Sequence, residues 1–333
     1  MRIVLWLVAA IVALWSLYWV VVSQSIERSA AAWFADRTAE GWVAEYDALN
    51  TRGFPYSFDT KVETLTLADP ATGVVWAAPT FEVLAKSYQP NHIVAVFPPS
   101  QTLASPAEKL TISADDMQAS VSFRAGTSLP LQQTTATLKQ AKVSSDKGWE
   151  TTLDQGLFAI NRTDASDAEY EVTFTATNLR PNDALRLGVD PSGRIPDTFQ
   201  TFTLDAVVSF DKPWDRFAVE RARPQPTKID LKDFDAQWGQ LELRAVGTLD
   251  IDAQGTPEGR ITIKATNWRE IVTLGEAMGL LPETIIPTVN RVLEVMAGLS
   301  GPPHTIDTPL TFANGRVSLG PLPLGPAPKL QLR

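Results

Sequence analysis

The sequence predicts a mainly β protein hung from a membrane: a long N-terminal anchor helix, then a large antiparallel, curved β-sheet or barrel-like body with a helix pair near the C-terminus. Three observations carry this. Ile3–Val22 holds twenty consecutive uncharged, almost wholly aliphatic or aromatic residues. From Phe54 onward the apolar period falls from 3.6 to 2, the signature of strands with one dry and one wet face. Near the end the period lengthens again over residues 268–299 before returning to strands.

Taken as a helix, Ile3–Val22 is long enough for the ~30 Å hydrocarbon layer of a bilayer. A signal peptide, a membrane anchor and a buried core helix all begin this way. The run is longer than the apolar core of a signal peptide, and Ser23-Gln24-Ser25 makes only a fair cleavage site, so the uncleaved anchor over residues 1–22 is favoured. Arg2 lies on one side and Glu27-Arg28 cancel on the other, which favours a cytoplasmic N-terminus, a single pass through the inner membrane and a periplasmic body. Residues 23–50 are expected to continue as a membrane-proximal helix. Alanines at 30, 31, 32, 35, 39 and 44 favour it, and Ile26, Trp33, Phe34, Trp42, Tyr46 and Leu49 form a drifting stripe. Such a stripe either packs on the following domain or meets a partner.

The body divides into a first β-rich half, 51–222, and a second, 223–333, with Arg221-Ala-Arg-Pro-Gln-Pro226 as connector, since two prolines in three residues do not suit a central strand. In the first half, Val172, Phe174 and Ala176 alternate with threonines, and Phe202, Leu204, Ala206, Val208 and Phe210 repeat the pattern. Strands are also expected at 56–67, 74–86, 92–97, 110–114, 117–125, 131–143 and 151–160. Arg180–Thr198 reads as turn-rich, with Leu185, Leu187 and Val189 as an apolar interlude.

In the second half, after a strand at 228–235, Leu241, Leu243, Ala245, Gly247, Leu249 and Ile251 line one face of a strand that turns at Asp252–Pro257 into Arg260–Thr266. Asn267 with Glu270 opens a helix carrying Ile271, Leu274 and Met278, and a second helix is expected from Glu283 to Leu299. The pair either caps an open end of the sheet as core or forms a lid. Asn314-Gly315 marks a hairpin between 308–313 and 316–319, and the Pro-rich run to Pro328 follows as an edge or strap.

The 333 residues carry a net charge of −9, which repels nucleic acid and anionic headgroups at long range. Cysteine is absent and histidine is limited to His92 and His304, so thiolate, disulfide and most metal chemistry lack raw material. No nucleophile elbow, phosphate loop, zinc helix or dinucleotide fingerprint occurs. Asp250, Asp252 and Gly255 resemble the start of a calcium loop, but Ile261 stands where its last acidic ligand belongs, so a hairpin turn fits better. Neither catalysis, a metal nor a cofactor is therefore expected.

Two stretches resemble a known family. Gly53-Phe54-Pro55-Tyr56 and Pro309–Pro328 are similar to an uncharacterised family of bacterial envelope proteins, domain-of-unknown-function family 2125, over essentially the whole chain. Asp235–Trp268, with its hairpin at Gly247–Gly255, also resembles the repeats of AsmA-type proteins, which have one anchor and a long curved β groove and are implicated in moving phospholipid. The second resemblance implies a lipid-contacting groove. Its expected lining is Leu241, Leu243, Leu249, Ile251, Ile261 and Ile263, with the bilayer and a lipid as partners and no nucleic acid. Alternating strands alone are also compatible with a filled core, the commoner outcome, in a scaffold or assembly factor that acts through protein contacts.

Overall fold

The computed structural model describes residues 1–333 apart from 190–194, 221–222, 278–285, 301–303 and 333. Every strand pairing among these residues is antiparallel. The fold is mainly β, and the chain forms two compact units, residues 1–123 with 141–148 and residues 124–140 with 149–333. The connector expected at 221–226 lies within the second unit.

The first unit opens with α1, Arg2–Ala39, 38 residues and therefore about 57 Å long. Its first half is exposed and apolar, and it is long and apolar enough to cross a membrane. Strands follow: β1 (Val43–Glu45), β2 (Ala48–Arg52), β3 (Ser57–Asp69), β4 (Val74–Lys86), β5 (Gln89–Val96), β6 (Ser100–Ala104), β7 (Lys109–Ser113) and β8 (Asp116–Phe123). The long β3–β4 hairpin is its spine, with β1 and β2 both paired to β3. The helix expected to reach Leu49 stops ten residues earlier. Gly41 takes φ +90°, a conformation that glycine adopts freely, and the chain then finds hydrogen-bond partners on β3 instead of its own next turn. Tyr46 and Leu49 do pack toward the helix, but from strands and the bend between them, against a core of Phe34, Val62 and Leu65.

The second unit runs β9 (Leu131–Ser145, whose last residues belong to the first unit), β10 (Glu150–Arg162), β11 (Glu169–Thr177), α2 (Asp183–Val189), β12 (Thr201–Phe210), α3 (Arg216–Glu220), β13 (Pro226–Trp238), β14 (Leu241–Ile251) and β15 (Pro257–Thr266). After α4 (Trp268–Ala277) and α5 (Ile286–Ser300) come β16 (Thr305–Ala313), β17 (Arg316–Leu319) and β18 (Leu322–Pro326).

From β10 to β17 each strand pairs with the next, and the registers align one apolar face. One row reads Phe158, Phe174, Leu204, Phe234, Ala245, Ile263 and Thr308. The next reads Ile160, Val172, Ala206, Leu231, Gly247, Ile261, Leu310 and Leu319. The alternation in β13 breaks: its apolar residues are Ile229 and Leu231, then Phe234, Ala236 and Trp238. An extra residue restores the face, because the register shifts by one between Leu231 and Phe234 against β14 and at the same place against β12. The bulge therefore keeps five apolar side chains on one side of the sheet.

Two parts of this face are filled. Helices α4 and α5 bring Trp268, Val272, Val289, Leu293 and Ala297 onto Ala265, Ile306 and Leu322. This is the expected helix pair acting as core; the start of the second helix, expected at Glu283, lies outside the described residues. At the other end Leu249, Phe312 and Val317 close on Leu324 and Ala327 of the Pro-rich tail, which forms the edge strand β18. Asn314 and Gly315 turn between β16 and β17 with φ +52° and +69°, as a two-residue hairpin demands.

Candidate apolar binding site

Beside the filled parts the face is less covered. Phe158, Val172, Phe174, Leu204, Leu231, Phe234 and Ile263 are each only partly buried. At one end of this open stretch lies a cavity of about 480 Å³ whose lining is nearly all hydrocarbon. Its floor comes from Phe202 on β12, Phe234 and Ala236 on β13, and Leu243 on β14. Its walls are Leu185 of α2, Ile271 and Gly275 of α4, and the segment leading to Phe199.

The sequence builds each wall locally. Asn182 caps α2, its side-chain oxygen accepting the Leu185 N–H at 2.8 Å, and Arg186 pairs with Asp183 at 3.1 Å and with Asp197. That second pair ties α2 to the 195–199 segment. Phe199 N donates to Leu179 O at 2.9 Å and Gln200 N to Gln237 O at 2.8 Å, so the segment hangs from the sheet edge. Trp238 locks it from beneath: the ring is 2% exposed, its indole N–H donates to Pro196 O at 2.7 Å, and it stacks on Phe199 at 4.9 Å. Phe199 meets Phe202 edge-on at 5.6 Å, and Phe202 meets both Phe174 and Phe234 at 5.9 Å. The aromatic tract thus leads from the cavity wall out to the open row. At the head of α4, Asn267 turns its amide toward Gln240 O at 2.7 Å, so its side chain ties α4 to the β13–β14 turn instead of completing the expected capping box.

The six residues expected to line a groove separate. Leu241 and Leu243 line the cavity. Leu249 is 5% exposed in the filled end, with Ile261 packed against its cluster. Ile251 is buried beside the β14–β15 turn, and Ile263 sits half-buried in the open row. Sequence reasoning passed over Phe199, Phe202, Phe234 and Trp238 as lining residues. Phe202 falls in an expected strand, and the alternation Phe234, Ala236, Trp238 that resumes after the parity break is the signal that extends the expected strand 228–235 to Trp238. Leu185 lies in the stretch that reads as turn-rich with Leu185, Leu187 and Val189 as an apolar interlude; these residues instead form the helix α2, which leaves Leu187 61% exposed.

Among the described residues no acidic constellation competes with this site. Asp252 uses one carboxylate oxygen to accept the N–H groups of Gln254 and Thr256, at 2.9 and 2.7 Å, and the Thr256 N–H holds its pKa below the usual carboxylate range. It is the stitch of the β14–β15 turn. Among the described residues no cluster of three His, Asp or Glu side chains is placed to hold a metal ion.

Comparison with curated proteins and with solved structures returns no match. Residues 19–328 match the family described as uncharacterized protein conserved in bacteria, DUF2125, and the chain belongs to that family.

Proposed function

We propose that this protein is a membrane-anchored, non-catalytic periplasmic module of the cell envelope that holds a lipid, or another long apolar ligand, against the open face of its second unit. The observation that supports this most directly is the apolar row from Phe158 to Ile263, partly buried and continuous with the hydrocarbon-lined cavity under Phe199. Ligand sites are concave and mostly apolar, with few polar groups to orient the occupant. An acyl chain needs no more than that. The exposed apolar half of α1 suits an anchor, and Arg2 at its start favours a cytoplasmic N-terminus.

Native mass spectrometry of the full chain, released from mild detergent, tests the ligand. Bound lipid masses are expected on the folded protein. A ligand-free chain from membranes rich in lipid would sink the reading and leave the scaffold role, with protein contacts as its business.

A further inference from the structure

α1 does not rise clear of the first unit before the body begins. Trp15 donates its indole N–H to Pro55 O at 3.2 Å, Tyr18 its hydroxyl to Ser87 O at 3.1 Å, and Trp19 its indole N–H to Ser57 O at 2.8 Å. Trp19 also stacks on Phe58 at 5.7 Å and meets Phe54 edge-on at 5.5 Å. The loop Gly53–Tyr56 and the turn at Ser87-Tyr88 are therefore level with residues 15–19 of the helix.

Helix arithmetic then places that tip. Between Arg2 and Trp15 the helix rises about 20 Å, against a hydrocarbon layer of about 30 Å. The missing ~10 Å has to come from residues 15–22, the very stretch that carries the tip. We propose that the tip formed by Gly53–Tyr56 and Ser87-Tyr88 is immersed in the bilayer beside α1, at the level of the headgroup boundary and the outermost acyl chain segments. This rests on the anchor reading above and adds a second membrane contact to it.

The tip is built for that depth. Phe54, Tyr56 and Tyr88 are 53, 76 and 65% exposed, a costly display in water and an ordinary one at a membrane interface. Its backbone closes on itself: Tyr56 N and Ser57 N donate to Gly53 O, Ser87 N donates to Tyr56 O, and Ser87 Oγ donates to Pro55 O, each at 2.9 Å. Polar groups satisfied internally are what lipid requires. Lys86 lies 5.8 Å from the Tyr88 ring, where a long basic side chain reaches the headgroups while its stem stays apolar.

The chain has no cysteine, so single cysteines label cleanly. The full chain is reconstituted into phosphatidylglycerol–phosphatidylethanolamine vesicles with an environment-sensitive fluorophore at Tyr56→Cys, Tyr88→Cys, Leu7→Cys or Ala71→Cys. Ala71 lies in the turn at the far end of the β3–β4 hairpin. The labels at 56 and 88 should show blue-shifted emission and lose fluorescence to nitroxide lipids labelled near the headgroup, while the label at 71 keeps its fluorescence. Unquenched labels at 56 and 88 with a quenched label at 7 overturn the tip and leave the anchor standing. No quenching at 7 either overturns both.

Discussion

Trp238 lies flat beneath Phe199, ring planes 22° apart, and its indole N–H reaches past that ring to Pro196 O. One side chain thus holds the cavity wall by both a stack and a hydrogen bond. Trp238→Phe keeps most of the stack and strands a carbonyl, a cost of about 1–3 kcal/mol. Trp238→Ala removes the ring altogether and should cost about 3–5 kcal/mol. Denaturant midpoints of the full chain compare the two; equal losses would mean that the hydrogen bond dominates and the stack adds little.

Gly247 and Gly148 both have positive φ, +155° and +85°, but only one is crowded. A Cβ at 247 would stand 2.2 Å from Arg260 O across the β14–β15 ladder, whereas at 148 it meets nothing within 4 Å. Gly247→Ala should therefore cost clearly more than the ~1 kcal/mol of conformational strain expected for Gly148→Ala, since backbone itself has to move. Thermal unfolding of the two variants provides the comparison; equal losses would contradict so tight an approach of the strands.

Tyr170 is 1% exposed, donates to Asp167 O at 3.1 Å and accepts the Trp214 N–H at 3.0 Å. Burial pushes its phenol pKa up, against a smaller downward pull from the Trp214 N–H. A pKa raised by folding gives stability that is complete below the unfolded phenol pKa and is lost as pH rises toward the folded one. Stability should accordingly decline above about pH 10. Tyr170→Phe removes this titration, so it should be less stable near neutrality, by about 1–3 kcal/mol for the lost hydrogen bonds, yet fall less steeply in alkali. Denaturant midpoints against pH separate the two slopes.

Much of the fold was legible in period alone. Val74–Lys86, Leu241–Ile251 and Arg316–Leu319 form the expected strands because one face meets apolar neighbours and the other does not. The errors fall where two periods coincide or where pairing decides. Tyr46 and Leu49 fit a helical stripe as well as they fit a bend and a short strand, and only the presence of β3 alongside makes the strands win. β13 carries its bulge inside the expected strand 228–235, and the apolar alternation that resumes at Phe234 runs on through Ala236 to Trp238, past the expected end. The cavity was half legible for the same reason. Leu241 and Leu243 stand in an unbroken alternation, whereas Phe199 and Trp238 converge only through the hydrogen bond to Pro196 and pairings distant in sequence.

The open face itself can be probed in cells. Phe234 and Val246 are near neighbours on β13 and β14 with opposite orientations: Phe234 pairs with Ala245 in the apolar row, while Val246 points to the other face and is 45% exposed. A photo-crosslinking benzophenone residue at each position should yield lipid adducts at 234 and none at 246, read by mass spectrometry of the purified chain. Adducts at neither position, or equal adducts at both, would contradict an apolar ligand held on this face.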